Sequence, residues 1–288
     1  MTLLFNQWMA LGLSAGLSVG IFLIFKWVAN RKLFLPAVIV WNYLICVGLG
    51  SLFIYDTPIF TQSALQKPGF FPVISLGILF MITFLLMGRA TAKSGAAMSA
   101  VSSKMSVVIP VILALGFFSE PISLWGVLGI GLALVAVFLI TYQPQTDTRL
   151  DRSLGWVFLG SGLVDSGLNA VKYANYAHWS NLQFAVLTFS GAALTGLMYL
   201  GSQKQISALW DRSAFLWGSL LGVVNLFSIF AIYNGIDAFP KKTAVFFTLN
   251  NISVVALTFV LGLILGERFS QRSLIGLSLA VLAIFLLG

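Results

Sequence analysis

Apolar runs of about twenty residues recur from one end of this chain to the other, and that recurrence leaves few folds open. A bilayer core of roughly 30 Å is crossed by about 20 apolar residues in a helix. Lipid offers no partner to a backbone amide, so each crossing segment must satisfy its own hydrogen bonds. Only 8% of residues are charged and 59% are hydrophobic, where soluble domains carry about 25% charge; mean hydropathy is +0.99. A soluble globule is excluded. The expected fold is an all-α polytopic membrane protein with spans near 7–29, 35–54, 69–88, 94–118, 123–142, 153–174, 182–201, 212–235, 241–265 and 271–287.

Two of these stretches echo each other. Ser94 to Ile140 is a long apolar run interrupted once, by a polar hinge holding Glu120 and Ser123; near the C-terminus a second run breaks at Glu267 and Ser270. Gly129 and Gly276, and Ala133 and Ala280, share the same offset of 147 residues. Gly16–Asn30 also resembles Gly160–Asn175, and Leu76–Gly88 parallels Leu221–Gly235. The chain therefore reads as a five-helix repeat over 1–142, a polar linker over 143–152 and a second five-helix repeat over 153–288. An odd number of helices per repeat inserts the second copy upside down. The charges agree with that inversion: Arg31, Lys32, Arg89, Lys93, Arg149, Arg152, Lys204, Arg212, Arg268 and Arg272 fall on one face of a ten-helix topology. Lys67, Lys241 and Lys242 fall on the other. By the positive-inside rule the basic face is cytoplasmic, with both termini outside. The net charge of +8 is thereby assigned to topology and to the lipid bilayer as partner, not to nucleic acid.

Glycines and other small residues at every fourth position let helix backbones approach closely. Gly12, Gly16 and Gly20 make such a stripe on the first helix, Gly162, Ser166 and Ala170 on the sixth, and Gly129 with Ala133 a single step.

An apolar helix, a Glu-x-x-Ser hinge and a Gly-containing apolar helix thus occur twice. The pattern is carried by Pro110, Glu120, Ser123, Trp125, Gly126, Gly129 and Gly131, then by Gly266, Glu267, Ser270, Gly276 and Ala280, with Lys26 and Lys172 closing helices in the two copies. It resembles the drug/metabolite transporter superfamily, in particular its ten-helix branch built from two EamA-type domains. The resemblance implies two inverted repeats and a secondary carrier for small metabolites, often exporting amino acids or related compounds, without ATP hydrolysis. Leu257 stands where Pro110 does in the first copy, so a kink at Pro110 is expected in one repeat only.

Ionisable groups inside a span are costly and are candidates for function. Ser161, Asp165, Asn169 and Lys172 share one face of the sixth helix. Asp165 suits a proton or a substrate amine, Lys172 a carboxylate or phosphate; alternatively Asp165 pairs with a neighbour and Lys172 snorkels to the interface. Lys104 lies mid-depth on the fourth helix, roughly 150° from the centre of a stripe formed by Ser99, Ser102, Ser103 and Ser106. The expectation is that the serines pack against another helix while Lys104 faces the pathway. Asn250 and Asn251 align with Ser103 and Lys104. With Asn42 and Asn225, they either hydrogen-bond a polar solute or join helices. Glu120 and Glu267 precede helix starts that Ser123 and Ser270 would cap, which makes them structural. Tyr233, Trp217 and Trp156 suit an aromatic belt or a cavity wall, and His178 falls in a loop.

One cysteine, Cys46, excludes a disulfide or a multi-cysteine metal site within the chain. No P-loop, CxxC, HExxH or nucleophile elbow occurs. An enzyme is therefore not expected, nor a cofactor or metal. The leading expectation is a secondary transporter in the cell membrane, moving a small polar metabolite (an amino acid or related compound, with export one direction open to it) by alternating access. An exchanger of organic anions or phosphorylated metabolites would follow from convergence of Lys104, Lys172 and Lys26. An integral-membrane enzyme or lipid-handling protein is the alternative of another class. Oligomeric state is not legible.

Overall fold

A computed structural model describes residues 7–54, 59, 61, 66–67, 69–94, 96–116, 123–141, 152–174, 179–240, 242–264 and 271–287. Every regular element among them is helical: α1 (Gln7–Asn30), α2 (Leu35–Leu52), α3 (Phe70–Ser94), α4 (Ala96–Met105), α5 (Val108–Gly116), α6 (Leu124–Thr141), α7 (Arg152–Tyr173), α8 (Asn181–Ser202), a 3₁₀ turn (Ile206–Trp210), α9 (Arg212–Ala238), α10 (Thr243–Ile264) and α11 (Gln271–Leu287). Five of them, α1, α2, α3, α8 and α9, are long and apolar enough to cross a bilayer. Ile78, Ile82, Leu194, Met198 and Phe227 face outward, while Ser14, Asn42, Asn169, Asn225, Asn250 and Asn251 are buried. An apolar exterior around a polar interior is the arrangement that hydrocarbon solvent selects. The protein is membrane-embedded.

The segment expected as one helix over 94–118 is two helices, α4 and α5, broken at Ser106 and Val107. Pro110 explains the position of the break. An unbroken helix would bond the amide of residue 110 to the Ser106 carbonyl; proline has no such amide, and its ring clashes with that oxygen. The Ser106 carbonyl instead accepts from Ile109 N at 2.9 Å. Across the 147-residue offset, Leu257 lies inside the unbroken α10, so the break at Pro110 has no counterpart there.

Elsewhere the helix starts follow local chemistry. Ser123 Oγ accepts from Gly126 N at 3.0 Å and caps α6. Ser180 and Gln183 form a reciprocal capping box on α8. Asp211 accepts from Ser213 N at the start of α9. Glu120, Glu267 and Ser270 lie outside the described residues, as does the linker apart from Arg152, the first residue of α7.

The helices pack in a definite pattern. α2 lies between α8 and α9, α3 between α7 and α8, α1 against α9 and α10, and α7 against α4 and α5, while α6 pairs with α11. The closest crossings use glycines other than the stripe on the first helix. A Cβ added at Gly77 of α3 would lie 2.5 Å from Ala192 N of α8, and one at Gly222 of α9 would lie 2.6 Å from the Asn42 carbonyl of α2. At Gly12 and Gly16, by contrast, nothing stands within 4 Å, and Gly20 alone meets a neighbour, Val224. On α7, Gly162 meets Ile109, Ser166 bonds the Gly162 carbonyl of its own helix, and Ala170 is exposed. Four-residue spacing identifies residues that permit contact, and the choice of partner belongs to the tertiary packing.

The two ends of the bundle differ in charge. The Arg31 guanidinium stacks 4.6 Å from the Trp217 ring, Trp41 Nε1 donates to the Leu209 carbonyl, and Arg89 donates to Tyr199 Oη at 3.1 Å. These contacts gather the end of α1, the starts of α2 and α9, and the ends of α3 and α8 at one end, which holds Arg31, Lys32, Arg89, Lys93, Lys204 and Arg212. At the other end Lys67 lies 4.8 Å from the Trp179 ring, and Asn181 Nδ2 donates to Asp237 at 2.7 Å.

Gly222→Ala is expected to destabilise the fold by about 1–3 kcal/mol through overpacking, whereas Gly12→Ala should leave stability within about 0.5 kcal/mol. Thermal unfolding of the two variants in the same detergent checks this.

Candidate functional site

One cavity of ≈ 90 Å³ lies in the middle of the bundle, lined from α1, α3, α4, α7 and α9. Its two ionisable groups are Lys104 and Asp165. The break at Ser106 places Lys104 in the last turn of α4, where unpaired carbonyls and the negative end of the helix dipole favour a cation. The Lys104 ammonium stands 5.8 Å from the Phe22 ring of α1, within range of a cation–π attraction. Asp165 comes from the middle of α7, one turn beyond Ser161, and interacts electrostatically with Lys104 across the cavity.

The rest of the lining divides into two kinds. Phe22, Phe80, Phe84, Ile21, Leu168 and Ile229 make apolar walls; Ser18, Thr83, Ser103, Ser161, Asn225 and Ser228 supply neutral hydrogen-bonding groups. Ser161 Oγ donates to Ser103 Oγ at 2.9 Å, tying α7 to α4 beside Lys104. An ammonium and a carboxylate share a site that is small, partly aromatic and surrounded by hydroxyls. Such a site can hold a small net-neutral solute bearing both signs of charge, each sign countered where lipid would otherwise penalise it.

The expected site residues are distributed unevenly around this cavity. Lys104, Asp165 and Asn225 line it. Asn42 stands behind Asn225, whose Nδ2 donates to Asn42 Oδ1 at 3.2 Å. Asn250 Oδ1 accepts from Ser14 Oγ at 2.7 Å, joining α10 to α1. Asn169 and Asn251 are buried, and neither amide nitrogen has a hydrogen-bond partner among the described residues; nor does Asn169 Oδ1. The Lys172 side chain and His178 lie outside the described residues. Lys26 is exposed on α1 and does not reach the cavity. Tyr233 packs against Phe184, Trp217 against Arg31, and Trp156 faces outward, so none of these three is a cavity wall.

The serine stripe of α4 needs a correction. Lys104 and Ser103 line the same cavity, against the expectation that the serines pack on another helix while Lys104 faces the pathway. Ser99 bonds the Met87 carbonyl of α3 and Ser102 the Leu154 carbonyl of α7. The stripe is thus divided between α3, α7 and its own helix, and a lysine at the end of a broken helix has a long stem with which to turn inward.

Ser18, Phe22, Thr83, Phe80 and Phe84 had not been singled out. The available signal was the offset: Ser18 stands 147 residues before Asp165, and both line the cavity. The same offset carries Ser14 to Ser161 and Ser103 to Asn250, so the Ser14–Asn250 and Ser161–Ser103 hydrogen bonds occupy corresponding positions.

No family model matches the chain. An uncharacterized protein of Haemophilus influenzae is 25% identical over 280 residues, covering 94% of each chain. A protein crystal structure at 15% identity superposes with a TM-score of 0.65 over 96% of this chain and 94% of its own. At that identity the likeness concerns the fold alone. Among the described residues no group of three or more His, Cys, Asp or Glu is placed to hold a metal ion.

If Lys104 and Asp165 offset each other's charge, removing one should destabilise more than removing both. Lys104→Met and Asp165→Asn are each expected to lower the melting temperature in detergent, and the double variant to recover a coupling of about 1–3 kcal/mol. Strict additivity in that double-mutant cycle would contradict the pairing.

Proposed function

We propose that this protein is a secondary transporter of the cell membrane, moving a small polar, zwitterionic metabolite by alternating access. The observation that carries the reading is the joint presence of Lys104 and Asp165 in one central cavity walled by aromatic rings. A site with one fixed charge of each sign matches a solute bearing both, such as an amino acid or related compound. Of the three lysines whose convergence would favour an organic-anion exchanger, Lys26 is exposed and does not line the cavity. The anion reading is accordingly second.

Two five-helix inverted repeats form the architecture of this proposal, and several observations support them. Exchanging the halves at the 147-residue offset turns the α2–α9 packing into α3–α8, the α1–α9 packing into α3–α7, and α1–α10 into α7 with α4 and α5; the α6–α11 and α2–α8 pairs map onto themselves. Gly77 and Gly222, 145 residues apart and matched in the Leu76–Gly88 and Leu221–Gly235 segments, sit at the α3–α8 and α9–α2 crossings. The paired hydrogen bonds Ser14–Asn250 and Ser161–Ser103 follow the same rule. In this reading each repeat contributes five spans, α4 and α5 together forming one. A central site between inverted repeats, next to a broken helix, is a recurring plan of secondary carriers. It agrees with the resemblance to the ten-helix EamA-type branch of the drug/metabolite transporters. The end holding Arg31, Lys32, Arg89 and Lys204 then faces the cytoplasm.

In proteoliposomes, purified protein should move at least one zwitterionic metabolite of an amino-acid panel, with a pH gradient across the membrane or without it. Lys104→Ala and Asp165→Asn should each reduce kcat/KM at least about tenfold, the loss of one charge-assisted contact. Failure to move any solute, together with unchanged behaviour of both variants in ligand-induced thermal shifts, would overturn the proposal.

A further inference from the structure

The contacts around the cavity order its polar residues by depth. On α1, Ser14, Ser18 and Phe22 follow at four-residue steps; on α7, Ser161, Asp165 and Asn169 do the same. Each step advances roughly 6 Å along a helix. Ser161 bonds Ser103, whose neighbour Lys104 stands against Phe22. The Ser161 end of α7 is therefore level with the Phe22 end of α1, and the two helices run antiparallel. Ser18 and Asp165 share the middle level, both in the cavity. Asn169 then falls level with Ser14, which bonds Asn250, the neighbour of Asn251.

Three polar levels thus follow along α1 and α7; the residues of the first two line the cavity, and those of the third lie beyond its lining. The first has Lys104, Ser103, Ser161 and Phe22; the second has Asp165 and Ser18; the third has Asn169, Asn251, Asn250 and Ser14. The 147-residue offset exchanges the first layer with the third, taking Lys104 to Asn251 and Phe22 to Asn169. Where one copy has a cation against an aromatic ring, the other has two buried carboxamides, 1% and 2% exposed. Asn169 has neither its nitrogen nor its oxygen bonded among the described residues, and the Asn251 nitrogen is also unpartnered. Buried amides are ordinarily satisfied, and those left open at this depth present two donor groups and an acceptor to a visitor.

We infer that Asn169 and Asn251 form a second solute station, one turn beyond Asp165 on the side away from Lys104, which takes an uncharged hydrogen-bonding group of the solute such as a carboxamide or hydroxyl. The inference rests on the transport reading and deepens it. The charged end of the solute is held between Lys104 and Asp165, and its neutral polar end is met by the asparagines. Because both stations occupy corresponding places in the two halves, the departure from symmetry at these positions sets which end of the solute each side of the carrier recognises.

Cysteine labelling tests the station without knowledge of the substrate. In a Cys46→Ala background, Asn169→Cys, Asn251→Cys and Ser103→Cys are reconstituted in proteoliposomes and exposed to a hydrophilic methanethiosulfonate reagent, with the outward-facing Leu194→Cys as control. Modification at 169 and 251 within about tenfold of the rate at 103 is expected. Modification at 103 with none at 169 or 251 would overturn the station.

Its chemistry is read from uptake of L-glutamine against L-methionine, nearly isosteric zwitterions of which only the first ends in a carboxamide. Asn169→Leu should raise KM for glutamine about tenfold relative to methionine, and an equal change for both would overturn the assignment to a neutral polar end. If the wild-type protein moves neither, the transport reading for these zwitterions fails, while the labelling pattern still decides whether the asparagine layer lies on a water-filled path.

Discussion

In hydrocarbon a polar side chain has no solvent to return to, and most of this structure follows from that. The lipid-facing surface is built from isoleucine, leucine, methionine and phenylalanine, and the serines, threonines and asparagines turn inward. Once inside they need partners. Some find them across helices, as Asn225 does with Asn42 and Ser14 with Asn250; others line the central cavity or stand open beside it. A soluble bundle would place its polar residues outside and leave its centre dry. Here the same physical preference collects the chemistry at the centre.

A missing backbone amide then gives that centre its asymmetry. Without an N–H at Pro110 the Ser106 carbonyl loses its helical partner, and the fourth apolar segment separates into α4 and α5. Lys104 is carried to the terminus of α4, where the helix dipole and the facing Asp165 make a buried ammonium tolerable. At the 147-residue offset, Leu257 stands in a continuous helix and Asn251 in place of the lysine. One proline thus distinguishes the divided α4 and α5 from the continuous α10. For the carrier proposed above, the same asymmetry is a means to treat the two ends of a solute differently.

Much of the helical organisation was legible because the hydrophobic pattern has the length of the membrane. The boundaries of α1, α2, α8 and α11 fall close to the expected spans, and Ser123 caps α6 as its spacing implies. The break in the fourth segment was anticipated only as a kink, since a sequence does not reveal whether a proline bends a helix or divides it. The first-helix glycine stripe misled for a related reason: small residues permit close contact, but the contacts were made at Gly77 and Gly222, where α3 meets α8 and α9 meets α2.

The site was legible in its charges and hidden in its walls. Lys104 and Asp165 stood out because an ionisable group in an apolar segment is energetically conspicuous, whatever the fold. Phe22, Phe80 and Phe84 could not, since 25 phenylalanines in an apolar chain look alike until helices are placed around them. The sequence by itself determined a membrane-embedded helical chain, a 147-residue internal echo and a short set of costly polar groups, because hydropathy and spacing are local properties. Only the tertiary structure decided that Lys104 and Asp165 line one cavity, that Asn42 and Asn250 bond across helices while the Asn169 and Asn251 amide nitrogens have no partner among the described residues, and which glycines touch. Those outcomes depend on which helix lies beside which, and no local pattern contains that information.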